Sequence, residues 1–191
     1  RDRWGIPADV EDRALWATYV LKAPVARVRA EVENHPRVEI TLINAPGEVV
    51  IGGDPDACRA VIEALDVHAL PVPYDAVIHA SLMRSLRPDF ASLYHYPVRT
   101  LPDTDFYSAA DYDKLTLNSG ALADALARMT CAPVDFTRLV DRVYEDGARI
   151  FVEVGPQRTC TRWIGKILDG RPHAALAIDR KNAPDVLSIL G

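Results

Sequence analysis

Proline and glycine cut residues 14–73 into six short segments whose apolar periods switch between strand and helix, and this order leaves few architectures open. Leu15-Trp16-Ala17-Thr18-Tyr19-Val20-Leu21 is aromatic and β-branched and predicts a strand that stops short of Pro24. Pro24 suits the first turn of a helix, and Val25, Val28 and Val32 recur at three and four residues until Pro36 closes it. Val38 to Ile43 and Val49 to Ile51 predict a hairpin, because Asn44-Ala45-Pro46-Gly47 between them offers Pro and Gly for the centre of a turn. Asp54-Pro55 then supplies an N-cap and a first helical residue ahead of Ala57, Val61, Ile62 and Leu65. Val67 to Val72 is a last strand. Strand, helix, strand, strand, helix, strand is the split βαβ, ferredoxin-like unit. The expectation is therefore an α/β protein with a ferredoxin-like (βαββαβ) subdomain over residues 14–75, preceded by a charged connecting arm over 1–13.

Beyond Pro73 the helices lengthen. Ser81 to Tyr94, Ser119 to Met129 with Asn118 or Ser119 as cap, and Val134 to Glu145 with Gly147 to end it all read as helical. Phe106 to Ala109 reads as a strand. Arg149-Ile150-Phe151-Val152-Glu153-Val154 is mostly apolar and stops at Gly155-Pro156, as a strand buried on both faces would. A helix over 160–168 and a strand over 174–178 complete α/β layers spanning 76–191.

At 191 residues, 49% hydrophobic and 26% charged, the chain has the composition of about one globular domain, not of a disordered tail or a disulfide scaffold. A net charge of −5 speaks against a general nucleic-acid binder. Cys58, Cys131 and Cys160 form no CxxC pair, which suits a reducing, cytoplasmic compartment. No apolar run is long enough to predict a membrane span.

Chemistry narrows to one histidine. His35, His68, His95 and His173 stand at element boundaries and read as solvent-facing. His79 follows Tyr74-Asp75-Ala76-Val77-Ile78 and precedes Ala80-Ser81, small residues that let another backbone approach. A general base and a buried, merely hydrogen-bonded histidine both stand as readings of it. A self-contained Ser/His/Asp site fails because the chain has no G-x-S-x-G elbow, and Ser81 reads as a helix cap. Histidine spacing for a metal is absent. Arg158, Arg162 and Lys166 read as a solvated helix face, and Trp163 among them as a packing residue. A base without its nucleophile suggests that the rest of the site lies in residues not included in this chain.

These residues carry a family likeness over nearly the whole chain. Thr41-Leu42-Ile43-Asn44-Ala45-Pro46-Gly47-Glu48-Val49-Val50-Ile51-Gly52-Gly53, His79-Ala80-Ser81-Leu82-Met83, Pro133-Val134-Asp135-Phe136 and Phe151-Val152-Glu153-Val154-Gly155-Pro156, in this order, resemble the C-terminal part of malonyl-CoA:acyl-carrier-protein transacylases, the acyltransferase domains of polyketide and fatty-acid synthases. Trp16 to Ala23, Ser108 to Tyr112 and Cys160 to Ile164 most resemble the domains of polyunsaturated-fatty-acid, heterocyst-glycolipid and enediyne synthases.

The resemblance implies a ferredoxin-like subdomain joined to the C-terminal part of an α/β-hydrolase-like acyltransferase core, with the acyl site in the cleft between them. It implies a malonyl-type acyl group passing from coenzyme A to the phosphopantetheine of an acyl carrier protein, with no bound cofactor, metal, nucleic acid or membrane. His79 matches the catalytic histidine, whose ring the family orients by backbone carbonyls; Val154, Gly155 and Gln157 are where those are expected. Asn44 matches an asparagine that faces substrate, with a plain turn residue as the equal alternative. The serine elbow, a Gln-rich oxyanion loop and the arginine that pairs a malonyl carboxylate are expected in the N-terminal part of the domain, ahead of Arg1, in the remainder of a synthase chain. The chain alone is then expected to be inactive. Ala76-Val77-Ile78, and Ser81 where the family has Pro, depart from the pattern and leave acyl choice open. The alternative is a noncatalytic acyltransferase-like docking or scaffold module.

Overall fold

The Pro46-Gly47 turn joins two neighbouring inner strands of the main sheet. β2 (Val38–Ala45) and β3 (Glu48–Gly53) pair antiparallel, and Gly47 at φ +73° supplies the left-handed position that a turn led by Pro46 requires. β1 (Ala17–Leu21) pairs antiparallel with β3 on one side and with β4 (Ala69–Pro71) on the other, giving the order β4-β1-β3-β2. Helices α1 (Val25–Val32) and α2 (Pro55–Leu65) cover one face of this sheet, where Leu21, Val28, Val49, Ile51, Val61 and Leu65 form the core. The expected cap of α2 is present: the Asp54 carboxylate accepts the Ala57 N–H at 2.9 Å, and Pro55 opens the helix. The computed structural model describes residues 9–11, 14–73 and 76–179, so most of the expected arm over 1–13 lies outside the described residues.

The free edge of β2 is taken by β7 (Val134–Asp135), which pairs with it in parallel. A helix was expected from Val134. Instead α5 (Phe136–Glu145) starts two residues later, because the Asp135 carboxylate accepts the Arg138 N–H at 3.1 Å and so caps it. The single helix expected over 81–94 is also divided, into a 3-10 segment (Ser81–Leu86) and α3 (Arg87–Leu93). Pro88 is the reason: it has no N–H for a continuing ladder, and its ring would meet the carbonyl four residues back. The strand expected at 106–109 shrinks to β5 (Tyr107–Ser108), in a hairpin with β6 (Asp113–Lys114). α4 (Ser119–Thr130) is capped by Asn118, whose side chain accepts the Ala121 N–H at 2.9 Å.

At the far end, β8 (Ile150–Glu153) and β9 (Ala174–Ala177) run parallel, joined by α6 (Thr159–Ile167). One face of this pair packs on Val140, Ile164, Ile167 and Leu168 through Phe151 and Ala175. The other face is open, with Ile150 70% and Val152 53% exposed. The expectation of a strand buried on both faces is thus corrected: nothing among the described residues covers the second face. No described helix is long and apolar enough to cross a membrane.

Candidate active site

The last carbonyls of a helix have no partner within it, and at the end of α4 two of them are met by His79. Its N–H donates to the Thr130 carbonyl at 2.7 Å, and its ring Nδ1 lies 2.7 Å from the Met129 carbonyl. A carbonyl can only accept, so Nδ1 carries the proton and Nε2 is left as the acceptor of the neutral ring. The residue sits at φ +56°, a conformation side chains other than glycine adopt rarely. Ala80 beside it is fully buried and packs with Trp16, Met83 and Cys131.

Val154, Gly155 and Gln157 do not hold the ring. Their turn is occupied elsewhere: the Gln157 N–H donates to Asp179 Oδ2 at 3.0 Å, and Val154 is 79% exposed. The adjacent Glu153 caps α6 by accepting from the Cys160 N–H at 3.1 Å and from the Thr161 N–H and hydroxyl, both at 2.7 Å. Burial works against ionisation of Glu153, but these bonds hold its carboxyl below the usual range. The orienting carbonyl is therefore that of Met129, on α4. A helix C-terminus offers unpaired carbonyls as a matter of geometry, which was the available signal; which loop meets them is set by tertiary packing.

Asn44 reaches the same place by a break in strand alternation. β2 shifts register against β3 between Ile40 and Leu42 and again between Ile43 and Ala45. Before the first shift Val38 and Ile40 pack towards the helices. After it, Leu42 and Asn44 line a cavity of about 200 Å³ on the opposite side, together with His79, Thr18, Thr41 and Trp163. A bulge re-aims the side chains beyond it, and this one brings the two expected site residues to one cavity. Asn44 is no turn residue: it lies in β2 and is 6% exposed.

Glu48 is a site neighbour that the sequence did not mark. Only 6% exposed, it accepts from Trp163 Nε1 at 2.7 Å, from Lys166 Nζ at 3.2 Å and from Lys22, and it stands 3.5 Å from the Asn44 amide. Burial raises its pKa, and hydrogen bonds from Lys22, Trp163 and Lys166 more than offset this, leaving it at about 2. Trp163 packs edge-on against Phe136 as a packing residue would, but its indole N–H and Lys166 are both engaged by Glu48, so this face of α6 is not simply solvated. Ser81 is not a cap either; its N–H and hydroxyl both donate to Glu39.

Burial pushes the Cys58 thiol up to about 12 and raises Cys131 and Cys160 as well, which disfavours the thiolate that a cysteine nucleophile needs. Among the described residues no group of three or more His, Cys, Asp or Glu could hold a metal ion.

No protein-family model matches the chain. It is 27% identical to a component of the polyunsaturated fatty acid synthase of Thraustochytrium sp. over 95% of its own length and 10% of that protein. It is 28% identical to the malonyl CoA-acyl carrier protein transacylase of Escherichia coli over 81% of its length and 51% of that enzyme, so it spans about half the length of the transacylases it matches. Among solved structures it superposes on the acyltransferase domain from the second module of the salinomycin polyketide synthase with a TM-score of 0.76 at 21% identity, covering 92% of this chain and 42% of that one. It also superposes on a malonyl-transacylase in complex with its type II polyketide synthase acyl-carrier protein, with a TM-score of 0.79 at 22% identity, covering 98% of this chain and 60% of that one. Its homologues are thus malonyl-CoA transacylases and synthase components, and its α/β fold is that of acyltransferase domains, of which it covers part.

Proposed function

We propose that this chain is the histidine-bearing part of an acyltransferase domain that moves a malonyl-type acyl group from coenzyme A to an acyl carrier protein. We read its β4-β1-β3-β2 sheet with α1 and α2 as a ferredoxin-like subdomain over residues 14–75, set against an α/β-hydrolase-like part over 76–191. The observation that carries the proposal is His79, fixed by the end of α4 through Nδ1 so that Nε2 is the accepting nitrogen, in a cavity shared with Asn44.

In this reading a serine hydroxyl from residues outside these 191 attacks the thioester carbonyl while Nε2 of His79 takes its proton. The C–S bond breaks, the departing thiolate of coenzyme A takes the proton back, and an acyl-serine ester remains. The phosphopantetheine thiol of the carrier then attacks that ester, again giving its proton to Nε2, and the serine recovers it. The Met129 carbonyl at the end of α4 accepts from Nδ1 and keeps Nε2 aimed into the cavity through each half-reaction. The Asn44 amide approaches Glu48 at 3.5 Å, too long for a firm hydrogen bond, and can turn to the acyl group or the pantetheine arm. The names of the homologues support catalysis over a scaffold module.

The test is acyl loading of the full-length protein that carries this chain, with labelled malonyl-CoA. His79→Ala is expected to slow loading by about 10³-fold, and the 191 residues alone are expected not to load. Wild-type loading by His79→Ala would overturn the proposal.

A further inference from the structure

Resting on that reading, we infer that Glu39 is a positioning residue for His79, acting through Ser81. Glu39 lies on β2, forty-two residues before Ser81, and its carboxylate takes both donors of the serine: the N–H at 3.0 and 2.9 Å from its two oxygens and the hydroxyl at 3.2 Å. These are charge-assisted bonds made in a fork, the arrangement that fixes direction as well as distance. Ser81 is two residues beyond His79 and opens the 3-10 segment.

The loop is thus held on two sides. On one, the end of α4 takes the backbone and ring of His79. On the other, the main sheet takes Ser81. Between them Ala80 is extended, at φ −126° and ψ 144°, and fully buried. A histidine at φ +56° persists only where its surroundings over-determine it, and Glu39 supplies the constraint from the strand that also carries Asn44. Arg37, which lines the same surface cavity as Glu39 and Ser81, is engaged by Asp54 at 3.0 Å. Glu39 therefore ties the two cavity residues, Asn44 and His79, to a single strand.

A different residue could do the same work. Proline at position 81 would fix φ without a partner and is tolerated at a first helical position, and the extended Ala80 is the conformation that a following proline demands. Ser81→Pro should therefore relieve the need for Glu39.

The experiment is steady-state acyl transfer by the full-length protein carrying Glu39→Ala, Glu39→Ala with Ser81→Pro, and His79→Ala. Glu39→Ala is expected to lower kcat about ten-fold with KM unchanged, and Ser81→Pro in that background to restore most of the loss. A wild-type kcat for Glu39→Ala, or a loss that Ser81→Pro leaves untouched, overturns the inference. If His79→Ala transfers normally, the proposed function fails first; if only Glu39→Ala is normal, that function stands and the positioning role falls. Should Glu39→Ala fail to fold, Ser81→Ala carries the test, because it removes the hydroxyl bond alone: a fall in kcat of about three-fold supports the inference, and a wild-type rate overturns it.

Discussion

Glu48 holds a charge where charge is costly. It is buried, yet Lys22, just beyond β1, and Trp163 and Lys166, both on α6, donate to it, so its ionised form links β3 to α6. Removing one member of such a group leaves the others unpaired, although Lys22 and Lys166 are about half exposed and recover part of their hydration. Glu48→Ala is accordingly expected to lower stability by about 2 to 3 kcal/mol in urea unfolding. The pH dependence has a definite sign. With its pKa lowered from an ordinary 4.5 to about 2, Glu48 contributes stability that is complete above pH 4.5 and is lost as pH falls towards 2. The wild-type protein should lose more of its unfolding free energy between those values than Glu48→Gln does; equal slopes would show that the group carries no such linkage.

At the scale of elements, what was legible in the sequence was what the chain decides locally. Asp54-Pro55, Pro46-Gly47 and Asn118 act within a few residues of themselves, and each capped or turned the chain where expected. The bulges in β2, the two-residue strand β7 and the carbonyl that holds His79 all depend on a partner distant in the chain, and no periodicity records them. Gly53 belongs to this second kind. It ends β3 opposite Val38, and a Cβ added there would stand 2.1 Å from the Arg37 carbonyl oxygen and 2.8 Å from Val38 Cα. Both obstacles are backbone, so no rotamer relieves them. Gly53→Ala should push β2 away from β3 at a cost of about 3 kcal/mol, read as a lower urea midpoint. An unchanged midpoint would mean that the strands do not approach this closely.

At the scale of the molecule, the open face of β8 and β9 is what remains unbalanced. Parallel strands occur almost only with both faces covered, yet here Ile150, Val152 and Leu176 stand 70%, 53% and 50% exposed on one small sheet, with Val154 just beyond β8 at 79%. An apolar patch of this kind marks a surface made for contact. In the 191-residue protein the available partner is a second copy, so self-association at high concentration is expected in sedimentation velocity. Val152→Lys with Leu176→Lys should return the protein to monomer without lowering its melting temperature, because neither side chain contributes to the core on the other face. A wild-type protein that sediments as a monomer at every concentration would remove the premise. The same pair of lysines separates association from completion of a domain. In a longer protein whose further residues cover this face, the lysines would become buried charges without partners, and the substitution that improves the isolated chain should destabilise the whole. Opposite effects of one double substitution in the two contexts would show that the face is an internal surface of a larger domain; equal effects would show that it is an outer one.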